Sequence, residues 1–143
     1  MRSAQPEFAP SGEFIGGAYV HATARDWARF GYLYLRGGVW DGRRILAGGW
    51  VDYSRTPNPA ENNGSYGAHF WVNAEPRDFQ FRLLPGGPPT LFAAEGASFQ
   101  IVAIAPSRDL IAVRLGLDQA SQFPQIKEPL GPLISAFPQR GEP

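Results

Sequence analysis

A short polar interruption, the tripeptide Glu-Gly-Ala at residues 95–97, breaks an otherwise apolar stretch that runs from residue 92 to residue 100. The carboxyl group of Glu95 is a candidate acid or base, and the hydroxyl group of Ser98 is a candidate nucleophile. A nucleophilic serine needs a neighbouring base, and both histidines of the chain are distant from Ser98 in sequence. The structural alternatives stay open: a salt-bridged or solvent-facing Glu95, and a strand-edge hydroxyl for Ser98.

The composition excludes several classes of function. The 143 residues contain 13 Lys+Arg and 13 Asp+Glu, so the formal net charge of zero predicts no nucleic-acid partner. With no cysteine and two histidines, a disulfide or a thiolate metal site is excluded and a zinc site is disfavoured. No apolar run approaches the roughly 18 residues of a membrane span. We therefore expect no cofactor, no metal and no membrane span, and the sequence indicates no particular compartment.

Helices and a hairpin are predicted before the polar interruption. Residues 23–36 are predicted to be helical, with Thr23 as N-cap and Asp26 in a capping-box-like position. Asp41-Gly42 predicts a small hairpin, and a short helix is predicted to end near Pro57. The first helix has one apolar face, which comprises Trp27, Phe30, Gly31 and Tyr34.

The second half of the chain has the pattern of strands. Tyr66, Phe70 and Val72 lie in a strand-like run, and Phe79 and Phe81 alternate. The runs 91–95, 98–105 and 109–116 are predicted to be adjacent antiparallel strands, because the breaks between them are too short for parallel crossovers. Their near-continuous apolar character predicts burial on both faces.

A last apolar set has the spacing of a helix that covers a sheet, although Pro129 and Pro132 weaken this prediction. Its members are Ile126, Leu130, Leu133, Ile134 and Phe137. The predicted fold class is therefore α+β, with an antiparallel sheet flanked by helices.

The sequence resembles the C-terminal part of the serine β-lactamase-related superfamily. This group includes class C β-lactamases, related esterases, penicillin-binding-protein-like peptidases and 6-aminohexanoate-dimer hydrolases. The resemblance rests on three phrases in the same order: GGAYVHATARDWARFGYLYLRGGVWDGRRIL, YGAHFWVN and FAAEGASFQIVAIAPSRDLIAVRLG. It covers roughly residues 12–118 and implies a partial β-lactamase/transpeptidase-like fold.

The resemblance also implies a site. In this superfamily a third motif, often Lys-Thr-Gly, lies on the edge strand, and the amide after its glycine forms half of the oxyanion hole. Residues 94–96 match that motif, so Gly96 would let the backbone approach a substrate carbonyl and the Ala97 N–H would be the oxyanion donor. Ala94 stands where a lysine is frequent, and Glu95 stands where Thr or Ser is frequent. Ala94 and Ser98 would contact the substrate.

The superfamily's other two motifs, Ser-x-x-Lys and Tyr-x-Asn, are missing from these residues. Lys127 is the only lysine, so no serine has a lysine three residues later, and no tyrosine has Asn two residues later. We interpret the chain as an N-terminally truncated fragment. Residues 1–20 would be an irregular lead-in, and residues 21–143 would be the C-terminal α+β part of a β-lactamase-like domain.

Two functions remain open. In the first, the chain is part of a serine hydrolase that acts on a small-molecule ester or amide through an acyl-enzyme. The chain by itself would then be inactive. The second is a non-catalytic, degenerate domain that binds a partner or complements a separate N-terminal chain. A truncated sheet would expose apolar surface and an unpaired strand edge, so self-association is also expected.

Overall fold

The structure is a computed structural model, and it describes residues 1–58, 60, 64–74 and 82–141. The helices are α1 (Ala24–Leu35), α2 (Trp50–Ser54) and α3 (Phe123–Ser135). The strands are β1 (Gln5–Pro6), β2 (Val20–His21), β3 (Val39–Trp40), β4 (Arg43–Arg44), β5 (Trp71–Val72), β6 (Phe92–Gly96), β7 (Gln100–Ala105) and β8 (Leu110–Arg114). The predicted alternation of Phe79 and Phe81 lies outside the described residues.

The central element is a four-stranded antiparallel sheet with the strand order β5-β6-β7-β8. All five residues of β6 pair with β7, and all five residues of β8 pair with β7. By contrast, β5 pairs with β6 at two positions, Trp71 with Ala93 and Val72 with Phe92. The predicted three adjacent antiparallel strands are confirmed, and the sheet is less complete on the β5 side of β6.

Each face of the sheet is covered by one of the two long helices, which confirms the α+β fold class. α1 approaches one face so closely that a Cβ at Gly31 would lie 3.0 Å from side-chain carbons of Val102 and Ile111. The residues packed on this face include Trp27, Phe30, Tyr34, Phe70, Val72, Phe92, Val102 and Ile104. α3 covers the other face, where the packed residues include Leu83, Leu84, Leu91, Ala93, Phe99, Ile101, Ala103, Ile126, Leu130 and Ile134.

The start of the chain docks on the first turn of α1. Thr23 caps α1 by accepting a hydrogen bond from the Asp26 amide, as predicted. The buried Asp26 carboxylate does not complete the capping box. It accepts hydrogen bonds from the Ser3 hydroxyl and amide, at 2.6 Å each, and one from Arg29. These hydrogen bonds, those from Ser3 above all, hold the pKa of Asp26 well below its ordinary value.

The lead-in contains regular pairing. β1 pairs with β2, and a single antiparallel bridge joins Phe8 and Phe14. The hairpin predicted at Asp41-Gly42 is confirmed: β3 and β4 pair on either side of these two residues, which both have positive φ angles.

Two expectations about local structure are wrong. The strand predicted over 98–105 begins at Gln100, because Ser98 and Phe99 have left-handed backbone conformations and form a turn. Leu133 in α3 and Phe137 beyond its end are exposed by 59% and 46%, so these two residues do not cover the sheet as predicted. Pro129 and Pro132 are accommodated inside α3.

Candidate functional site

The end of β6 presents backbone groups that have no strand partner on one side, within the part of the chain that the structure describes. Asn73 N–H, next to β5, donates to the Leu91 carbonyl at 2.9 Å, so this carbonyl points toward the β5 side. Since backbone groups alternate in direction along a strand, those of Ala93 and Glu95 point the same way. Gly96 is extended, with φ −114° and ψ −179°. The alternation therefore continues, and the Ala97 amide also points toward the β5 side. We call the β5-facing side of residues 94–97 the exposed edge.

Neither the backbone conformation at position 96 nor the packing of the described residues around it requires a glycine. Its φ of −114° is one that any residue adopts, and a Cβ there would meet only the Gln100 carbonyl oxygen, at 4.0 Å. Gly96 and Ala97 are both exposed. Among the residues that the structure describes, none fills the space beside Gly96, and neither their packing nor the backbone conformation explains the glycine.

The turn after β6 holds its two residues in an unusual conformation. Ser98 and Phe99 both have φ near +57°, in the left-handed region that non-glycine residues rarely adopt. The Phe99 ring is 1% exposed, and its carbonyl accepts a hydrogen bond from Arg114 at 3.0 Å. Ser98 is thus a half-buried turn residue next to the exposed edge, and the prediction of a strand-edge hydroxyl is wrong.

Glu95 takes part in an ion pair that sequence spacing could not reveal. Its Oε1 lies 3.7 Å from Nζ of Lys127 on α3, and both side chains are more than four-fifths buried. The same ammonium group lies 4.7 Å from the centroid of the Phe99 ring. The salt-bridge alternative for Glu95 is therefore the arrangement observed.

Burial of the Glu95 carboxyl raises its pKa above the ordinary value, and the Lys127 ammonium opposes part of this rise. We expect Lys127→Met to raise the pKa of Glu95 further, because it removes the opposing charge and leaves the burial. A carboxyl whose pKa is raised in the folded state stabilises the fold at low pH and loses that contribution as the pH rises through the folded pKa. The variant should therefore lose stability more steeply than the wild type as the pH rises.

An NMR titration of the Glu95 carboxyl carbon measures this directly. Lys127→Arg, which keeps the charge, serves as the matched control and should change the pKa of Glu95 much less. A pKa that stays the same or falls in Lys127→Met would contradict the assigned role of the ion pair.

The five sequence-predicted site residues are consecutive: Ala94, Glu95 and Gly96 end β6, and Ala97 and Ser98 lie in the turn after it. Ala94 packs with the α1-side cluster, while Glu95 faces α3, so the two flank the strand on opposite faces. Lys127 was missed, and its being the only lysine of the chain was the one available signal. Among the residues that the structure describes, no group of three or more His, Asp or Glu side chains could hold a metal ion. None of the helices in the described ranges has the length and apolar character of a membrane span.

No protein-family model and no curated protein matches the chain. Among solved structures, the chain is similar to a protein from Bacillus anthracis provisionally named a 6-aminohexanoate-dimer hydrolase, with a TM-score of 0.65 and 22% sequence identity. The match covers 95% of this chain and 35% of that protein, so the chain spans about a third of its length. At this identity the likeness shows a common fold: the α+β arrangement described above is also found within that protein.

Proposed function

We propose that this chain forms one wall of the active site of a β-lactamase-like serine hydrolase that cleaves ester or amide bonds of a small molecule. Residues 21–143 are the C-terminal α+β part of that domain, and residues 1–20 lead into it. The exposed edge binds the substrate, and the Ala97 amide donates a hydrogen bond to the carbonyl oxygen on which negative charge develops. Gly96 keeps the approach to this amide free of side-chain atoms.

One observation carries the proposal: β6 leaves the amides of Glu95 and Ala97 directed away from β7, beside open space, in a fold that is also found in a hydrolase. A backbone N–H is a fixed donor, so it needs no reorganisation when the oxyanion forms. The open space at Gly96 fits the same function, since a substrate carbonyl must come within hydrogen-bond distance of the backbone.

The nucleophile of this proposed enzyme comes from outside these 143 residues. Ser98 lies in a turn, and no serine is followed by a lysine at the spacing of the superfamily's nucleophile motif. An acyl-enzyme then forms on a Ser-x-x-Lys serine, while the present chain contributes the oxyanion donor and the substrate-binding edge.

A non-catalytic domain is the second candidate function, and the ion pair of Glu95 and Lys127 favours it. The pair fills the position of the third motif with side chains that neutralise each other, rather than with a free cation for a substrate carboxylate. Leu117 is 91% exposed, and β8 is an edge strand of the sheet within the described residues. These features support self-association or docking onto a separate chain.

Ligand binding separates the two functions without requiring turnover. We expect the purified chain to hydrolyse neither a chromogenic ester nor a β-lactam above background, since it has one oxyanion donor and no nucleophile–base pair. The linear dimer of 6-aminohexanoate, taken from the name of the structural neighbour, should nevertheless shift the amide resonances of Glu95, Gly96 and Ala97.

Gly96→Val provides the matched test of this binding. Its backbone angles and open surroundings suit valine, so the variant should fold, while its side chain fills the space beside the exposed edge. Gly48→Val, also at an open position, is the control. Unchanged amide shifts at residues 95–97 with the dimer, or equal binding by Gly96→Val, would favour the non-catalytic function. An active-site-titratable burst from the chain alone would contradict the assignment of the nucleophile to other residues.

A further inference from the structure

His69 occupies the place where β5 stops pairing with β6. If the register of Trp71 with Ala93 continued, Phe70 would lie opposite Ala94 and His69 opposite Glu95. Instead His69 has a φ of +67°, in the left-handed region, and the chain turns away from β6. The left-handed residue thus marks the point at which the exposed edge loses its strand partner. The strand-like run predicted to contain Phe70 and Val72 therefore forms a strand only from Trp71 onward.

The turn that carries His69 is fixed on both sides. Gly67 N–H donates to the Phe70 carbonyl at 2.8 Å, and Ala68 N–H donates to the Ser54 carbonyl at 3.1 Å. A Cβ at Gly67 would lie 2.3 Å from the Ser54 carbonyl oxygen, so only glycine allows the turn to approach α2 this closely.

On the other side of His69, Phe70 is 3% exposed. Its ring packs against Phe30, Tyr34 and Phe92, with centroid distances of 6.4, 4.6 and 5.4 Å. These contacts fix the backbone next to the histidine.

His69 itself remains exposed between these anchors. A left-handed conformation costs about 1–2 kcal/mol for a residue with a side chain, and glycine would adopt it without that cost. Strained residues that are held by well-packed neighbours cluster at functional sites. His69 lies two residues before Trp71, which pairs with Ala93, so the turn directly adjoins the last paired position next to the exposed edge.

We propose that His69 is a substrate-contacting residue of the exposed edge, and that its imidazole donates a hydrogen bond to a carbonyl or carboxylate group that the substrate carries beyond its scissile bond. The inference rests on the proposed function and deepens it. The substrate of the site is then a linear ester or amide that carries a second oxygen acceptor. His69 then supplies a polar contact that Ala94 cannot make.

The test uses the full chain and the linear dimer of 6-aminohexanoate as probe. In the wild type, the dimer should shift both the amide resonances of residues 95–97 and the imidazole resonances of His69. His69→Gly suits the left-handed backbone, so its melting temperature should equal or exceed that of the wild type. The loss of one hydrogen bond should weaken the binding of the dimer about fivefold.

His21→Gln is the matched control, since His21 is the other histidine of the chain and pairs with Glu7 in the lead-in. It should bind the dimer as the wild type does. If the amides of residues 95–97 shift while His69→Gly binds the dimer as tightly as the wild type, the role of His69 is overturned and the proposed function stands. Equal weakening in His21→Gln also overturns that role. If residues 95–97 do not shift at all, the proposed function fails, and the role of His69 fails with it.

Discussion

Asn73→Asp is expected to lower the free energy of unfolding by about 3–5 kcal/mol at pH 7. The side chain of Asn73 is fully buried, and its amide nitrogen donates to the carbonyl oxygens of Gly87 and Pro88, at 3.2 Å each. Its amide oxygen accepts from the Leu84 amide at 2.9 Å. Aspartate has the same shape, but it places an oxygen against two carbonyl oxygens and buries a charge.

Chemical denaturation of wild type and variant measures this effect. Burial raises the pKa of the introduced carboxyl in the folded state, so the difference in stability between variant and wild type should narrow as the pH falls. Asn58→Asp is the matched control: Asn58 is exposed, and its side chain acts as an acceptor for the Ala60 amide, which aspartate preserves. It should change stability by less than about 0.5 kcal/mol. Equal effects at the two positions would contradict the importance of the buried donor.

Gly131→Ala is expected to cost about 2–3 kcal/mol of stability, although alanine favours helix over glycine by about 1 kcal/mol. A Cβ at Gly131 would lie 2.0 Å from the Pro85 carbonyl oxygen and 2.7 Å from the Gly87 nitrogen. These are backbone atoms, so they cannot move aside as a flexible side chain would. α3 must therefore shift away from residues 85–87, which also weakens the hydrogen bond of 2.7 Å from the Ser135 hydroxyl to the Gly86 carbonyl.

The control for Gly131→Ala is Gly48→Ala, because a Cβ at Gly48 meets no atom within 4 Å and its φ is not positive. Its unfolding midpoint should match that of the wild type. If Gly131→Ala were as stable as the wild type, the close contact of α3 with residues 85–87 would be wrong.

Both substitutions bear on the candidate site because they affect the segment that leads into β6. Asn73 fixes residues 84–88 through its side chain and Leu91 through its backbone amide. At Gly131, the absence of a side chain lets α3 pack closely against the same segment. Lys127 lies one helical turn before Gly131, so a shift of α3 would also change the ion pair with Glu95.

The main elements could be predicted from the sequence because their signals are local. Thr23 caps α1 through its own side chain, and Asp41-Gly42 adopts positive φ angles that select a tight hairpin. The antiparallel order of β6, β7 and β8 followed from breaks too short for a crossover. The tripeptide at 95–97 could be singled out by its contrast with apolar neighbours, while the site assigned to residues 94–98 rests on the resemblance to the β-lactamase-related superfamily.

The sequence alone determined the α+β class and the order of the long elements, since periodicity, caps and turns act over a few residues. The tertiary structure decided the rest. It paired Glu95 with Lys127, 32 positions away, and bonded the Asn73 side chain to residues 84–88. It also began β5 at Trp71, after the left-handed His69, so that the end of β6 lacks a strand partner on that side among the described residues. Such contacts depend on how separate elements pack, and a lysine has the same local pattern whether it faces solvent or a buried carboxylate.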